Sequence, residues 1–154
     1  MPRTFALEDK WIRLAVRHVR MGRKLQGKFP DGTTFHAYHA FECAVSAYIA
    51  ARGRKVPPLD KKSGVPVNPK SDHKRKLVLF RHLTKTSDHS NGLFTLVSRY
   101  MTTILRNDTL YHNGQTNQFP FDLHRFPSSG LWIKEVSDFV AAVDQDIHDI
   151  HAGP

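Results

Sequence analysis

FHAYHAFECAVSAYIAARG, residues 35–53, is the stretch that decides the fold. Tyr38, Phe41, Val45 and Tyr48 recur at spacings of three and four, the repeat of one helix face. Ala37, Ala40, Ala44 and Ala47 lie among them and are small enough to let neighbouring helices approach. The pattern predicts a helix over 34–52, capped by Thr33 or Thr34 and closed by Gly53.

The same periodicity finds companions on both sides. A helix is expected over 8–26, with Ile12, Ala15, Val16 and Val19 inward. A short one over 73–83 turns Leu77, Phe80 and Leu83 to the core. A fourth begins after Ser87 or Asp88, carries Leu93, Val97, Tyr100, Met101 and Ile104, and runs to about His112, where Asn113 and Gly114 stop it. The last starts near Ser129 with a seam of Trp132, Val136, Phe139, Val140, Val143, Ile147 and Ile150. Trp11 and Trp132 read as core residues. Strand alternation and internal repeats are absent from the sequence. The expected architecture is all-α: an up-and-down bundle of four main helices plus a short one, forming a single domain over 1–154.

Residues 53–72, GRKVPPLDKKSGVPVNPKSD, interrupt this order with prolines, glycines and lysines. They read as a long basic loop, either an arm for a polyanion or a disordered connection. No apolar run approaches the roughly 20 residues that span a bilayer, so no membrane partner is expected. The start of the chain lacks the apolar segment of a signal peptide, and the expected compartment is the cytoplasm. A single cysteine, Cys43, excludes an internal disulfide and a multi-cysteine metal site. Within an alanine-rich helix it reads as a small packed residue.

Charge narrows the function. Lys and Arg outnumber Asp and Glu by 23 to 14, a net +9, which favours a polyanionic partner, RNA or DNA first. Arg13, Arg17, Arg20 and Lys24 share one face of the first helix and are the candidate RNA-binding row. An ordinary solvated helix face has the same pattern.

LRNDTLYHNG, residues 105–114, offers the candidate chemistry. Arg106, Asn107 and His112 stand where a helix is expected to end. The helix dipole alone favours cationic residues there. The chemistry that such residues suit is RNA cleavage without a metal or cofactor. A histidine takes the 2′-OH proton, arginine stabilises the extra charge on phosphorus, and Asn107 orients a ring or holds a phosphate oxygen. On an ideal helix Arg106 and His112 point about 120° apart. Two copies related by a twofold axis bring both residue types to one phosphate. His36, His39 and Glu42, three apart along the second helix, read first as a satisfied polar patch of the bundle; as a metal face they lack an evident fourth ligand, and no metal is expected. Glu42 is also placed to hold the Arg106 guanidinium.

The stretch around Arg106 resembles the signature of HEPN domains, helical bundles whose motif is an arginine, a polar neighbour, and a histidine after four to six residues. Here five residues separate Arg106 from His112, and Asn107 is the polar neighbour. Residues 35–53 are similar to the family's second helix, an alanine-rich run with a glutamate (Glu42) and a closing glycine. HKRKLVLFRHL, residues 73–83, is similar to the short histidine-led helix that often follows. The resemblance implies a homodimeric, metal-independent endoribonuclease with Arg106 and His112 catalytic, acting as a toxin, a phage-defence effector or an RNA-processing protein. An antitoxin is then a possible partner. Gly114 stands two positions after the histidine, where the branch paired with nucleotidyltransferase antitoxins often has tyrosine. Two other functions fit the same residues: a non-catalytic nucleotide- or RNA-binding module, and a helical protein-interaction partner.

Overall fold

The computed structural model describes residues 6–54, 69–111, 113–122 and 125–153, without the side chains of 69–72. The architecture is an all-α bundle. Its helices are α1 (Leu7–Leu25), α2 (Pro30–Ala51), α3 (Pro69–Leu83), α4 (Ser90–Val97), α5 (Thr103–Asp108) and α6 (Ser129–Ala152). Outside them, among the described residues, the one β-type pairing is an isolated bridge between Asn113 and Gln118. No helix searched is long and apolar enough to cross a membrane.

The core takes most of the apolar set read from the spacing and adds Phe94, Phe126 and Ile133. Tyr38, Phe41, Val45 and Tyr48 of α2 are buried, as are Val136, Phe139, Val140, Val143 and Ile147 of α6. α1 adds Ile12, Ala15 and Val19. Phe80 of α3 fills the centre, its ring 4.4 Å from that of Phe94 and 4.7 Å from that of Tyr48. Trp11 and Trp132 pack partly buried against this cluster. Cys43 is free and buried, and desolvation pushes its thiol up to about 12. A buried thiol with that pKa is a packing residue.

The helix starts differ from the expectation. α2 begins at Pro30, whose fixed φ suits a first helical turn, so Thr33 and Thr34 are inside the helix and fully buried. Thr33 donates its hydroxyl to the Gly22 carbonyl of α1 at 3.1 Å and does not cap. α3 begins at Pro69, so the last four residues of the expected loop are helical; 55–68 lie outside the described residues. The start of α4 is not capped by Ser87 or Asp88. Asp146 of α6, 2% exposed, reaches it instead. Its Oδ1 accepts from the His89 amide at 2.7 Å and its Oδ2 from the Ser90 amide and hydroxyl at 3.0 and 2.6 Å. Asp88 is turned to Arg52, 3.2 Å away, and to the Tyr48 hydroxyl.

The expected fourth helix is two helices. Residues 98–102 break it, with three-residue amide contacts at Arg99 and Tyr100 in place of the four-residue ladder. The physical reason lies in α6. Tyr100 stacks on Trp132 at 5.6 Å and donates its hydroxyl to Glu135, while Met101 drops into the core at 1% exposure. Those two anchors pull the backbone out of register. Thr102 then turns extended, and its hydroxyl oxygen accepts from the Leu105 amide at 3.2 Å, a new N-cap. Rotation at the break carries Ile104, expected inside, to 75% exposure.

Candidate functional site

Arg106 sits in the last turn of α5, half-buried, with Asn107 exposed beside it. Arg106 Nη1 donates to Asn107 Oδ1 at 3.3 Å. Its Nε is buried and has no hydrogen-bond partner among the described residues. The guanidinium lies close enough to α2 for its charge to act on Tyr38 and His39. His112 lies outside the described residues, so the Arg106–His112 pairing has no geometry here.

The segment after α5 is held by polar contacts. Arg125, whose side chain is 5% exposed, pairs with Asp108 at 3.0 Å and donates to the Gln118 carbonyl at 2.9 Å. Asn113 Oδ1 accepts from the amides of Gln115 and Thr116 at 3.0 and 3.2 Å. Asn117 takes a left-handed φ of 54°, a conformation asparagine tolerates better than most residues. On this framework several apolar side chains face solvent: Ile104, Tyr111 at 63% and Phe121 at 70%. The Phe121 ring stacks on Phe119 at 5.4 Å.

Glu42 is paired with α3, and no hydrogen bond or ion pair joins it to Arg106 among the described residues. Its Oε1 accepts from Lys76 Nζ at 2.8 Å and contacts His73 of the same helix, α3. Burial alone raises a carboxyl pKa; the Lys76 ammonium and its hydrogen bond, helped by His73, outweigh that and hold Glu42 below the ordinary range. Beside this pair is a cavity of about 260 Å³ walled by α2, α3 and the α4–α5 break. Tyr38, Phe41, Leu77 and Met101 give it an apolar lining, and Glu42, His73, Lys76 and Thr103 give it polar edges.

A comparison of the chain with protein-family models, with curated proteins and with solved structures finds no match.

His36, His39 and Glu42 do not converge. His36 faces α1, where its Nδ1 lies 2.9 Å from His18 Nδ1, so one ring holds the shared proton and the other accepts it. His39 stacks on His18 at 5.4 Å. Desolvation keeps all three rings below the usual histidine pKa, His39 at about 4. Among the described residues, the ligand atoms close enough to share an ion are those of His89, Asp146 and Asp149, within 4.8 Å. The Asp146 carboxylate there is already committed to the start of α4.

Arg13, Arg17, Arg20 and Lys24 are all exposed on α1. Arg23, between them in sequence, instead donates to Ser137 of α6 at 2.9 Å. Four participants were not singled out from sequence: Tyr38 as a neighbour of Arg106, Lys76 and His73 as partners of Glu42, and Arg125 as the clamp. The charged Lys76 on an otherwise inward helix face was the one available signal.

Proposed function

We propose that this chain is a metal-independent endoribonuclease of HEPN type, working as a homodimer in which Arg106, Asn107 and His112 of two copies form one composite site. The observation that carries the reading is the surface around Arg106. Arg106 stands in the last turn of a short helix, and that helix and the segment after it expose Ile104, Tyr111 and Phe121, apolar area that a second copy would cover. The net +9 and the exposed row Arg13, Arg17, Arg20 and Lys24 support RNA as the polyanion, held through its phosphates without reading sequence.

In the reaction, the ribose 2′ oxygen forms a bond to phosphorus and the bond to the 5′ oxygen breaks. His112 of one copy takes the 2′-OH proton. His112 of the other gives a proton to the leaving 5′ oxygen. Arg106 stabilises the charge on the phosphorane. A toxin, phage-defence or RNA-processing role, and an antitoxin partner, are compatible with this chemistry. The cavity beside Glu42 favours a second reading, a nucleotide- or RNA-binding module without turnover.

Incubation with mixed RNA in EDTA tests the first reading. Cleavage should persist, leave 2′,3′-cyclic phosphate ends and fail on 2′-O-methyl RNA. Arg106→Ala and His112→Ala should each slow it by about a hundredfold or more while leaving melting unchanged. Light scattering should show a dimer. Full activity from a monomer, or from both variants, overturns the proposal. Tight binding of RNA with no cleavage by the wild type installs the second reading.

A further inference from the structure

The cavity and Arg106 are neighbours. Thr103, on its wall, is three residues before Arg106, so the two lie on one face of α5 with Cβ atoms roughly 5–6 Å apart. Tyr38, also on the wall, lies within reach of the Arg106 charge. A group seated in the cavity is therefore about one helical turn from a phosphate held by Arg106.

Size and chemistry restrict that group. A volume of about 260 Å³ falls below the ~300–1,000 Å³ of sites that enclose a drug-sized ligand. One planar base fits, with its sugar and phosphate left outside. Phe41, Leu77 and Met101 give the base an apolar bed. Lys76, 7% exposed, and His73 both engage Glu42 through Oε1, and Lys76 is tied further to Ser46 at 3.4 Å. The carboxylate is fixed, and among the described residues no hydrogen bond uses its Oε2. An ionised carboxylate oxygen accepts only; it suits an exocyclic amine and repels a carbonyl. Exposed Lys74 at the rim adds positive charge where a sugar–phosphate would leave.

We propose that this cavity holds an unpaired, amino-bearing base of the RNA (adenine, cytosine or guanine in preference to uracil) beside the phosphate bound by Arg106. The inference rests on the RNA reading of the Arg106 site. It makes the substrate class RNA with an extruded or single-stranded base, because a base in a duplex cannot enter a walled cavity.

The test uses binding, so that it does not depend on turnover. Non-cleavable 2′-O-methyl dinucleotides, carrying each of the four bases or an abasic sugar at either position, are titrated into the full chain by calorimetry. At one position the amino-bearing bases should bind about tenfold or more tighter than the abasic probe, the scale of one stacked base, and tighter than uracil. Thr103→Phe, which fills the mouth from an exposed position, should erase the gap between base-bearing and abasic probes. Glu42→Gln should narrow the preference over uracil. Arg106→Ala should weaken base-bearing and abasic probes by the same factor. Equal binding of abasic and base-bearing probes by the wild type, no binding of any probe, or a gap untouched by Thr103→Phe overturns the proposal. Discrimination among bases without any RNA cleavage leaves the pocket standing and removes the ribonuclease. Cleavage that ignores the base beside the cut, with equal binding of abasic probes, does the reverse.

Discussion

In α2, fourteen of twenty-two residues are buried; in α5, which carries Arg106, none of six is. The two segments are ordered by different forces. α2 lies in the middle of the bundle, and its position follows from apolar area that water excludes from every side. α5 is placed largely by directional contacts: the Thr102 cap, the Tyr100–Glu135 hydrogen bond just before it, and the Arg125–Asp108 pair that ties its end. The bundle is therefore expected to fail as a whole, and the Arg106 end to loosen by itself.

The largest effect that can break this contrast is in the bundle. Phe80→Ala removes a fully buried ring that meets Tyr48, Phe94 and Phe139. It should cost about 3–5 kcal/mol in urea unfolding, the range for phenylalanine cavities. A loss below ~1 kcal/mol would mean that the centre is loosely packed. A smaller, local effect belongs to Arg125→Ala. Losing its charged hydrogen bonds should lower the opening free energy of amides in 109–122 by roughly 1.5–3 kcal/mol in hydrogen exchange, with global melting nearly unmoved. If global stability falls as far as for Phe80→Ala, the two regions are one cooperative unit.

The smallest effect sharpens the contrast by pH. Burial depresses His18, His36 and His39 below 6.5, so between their folded pKa values and 6.5 the unfolded chain binds protons that the folded chain refuses. The stability these rings confer is complete above 6.5 and declines as pH falls, for His39 down to about 4. Melting temperature should drop between pH 7.5 and 5, and His39→Gln should flatten the slope. Exposed His89, raised by its hydrogen bond to Asp146, works in the opposite sense at the start of α4. The decline should appear in core amides and spare 109–122. An identical pH dependence in both regions would contradict the placement of the histidines between α1 and α2.

What was legible in the sequence follows the same division. α1 and α6 announce themselves because each repeats its apolar positions over two turns or more and burial obeys that repeat; α2 shows the repeat in its large side chains, while its small residues let it be buried on almost every side. Pro30 and Pro69 carry the signal for the starts of α2 and α3, and the threonine and histidine cues misplaced both. The break at 98–102 was not legible. The partners that cause it, Trp132 and Glu135, lie more than thirty residues away, and locally Ile104 continues the apolar spacing without a flaw. The Asp146 cap of α4 is hidden for the same reason, because a cap is looked for beside the helix it serves. At the candidate site, local sequence places Arg106 on a helix end. It cannot reveal that Tyr38 and His39 lie within range of that charge, or that Glu42 faces Lys76, since tertiary contacts alone decide those neighbours.

Gly22 gives this bundle a strict measure. A methyl group there would stand 2.7 Å from Cδ1 of Ile133 and 3.2 Å from Cβ of His36, so three helices meet where one has no side chain. Most positions on α1 specify a chemistry, apolar inward or charged outward. Position 22 specifies a length, the gap between neighbouring helices, and that spacing favours the smallest letter. A chain that changes this letter must turn the tip of Ile133 aside and ease His36 back by a few tenths of an ångström.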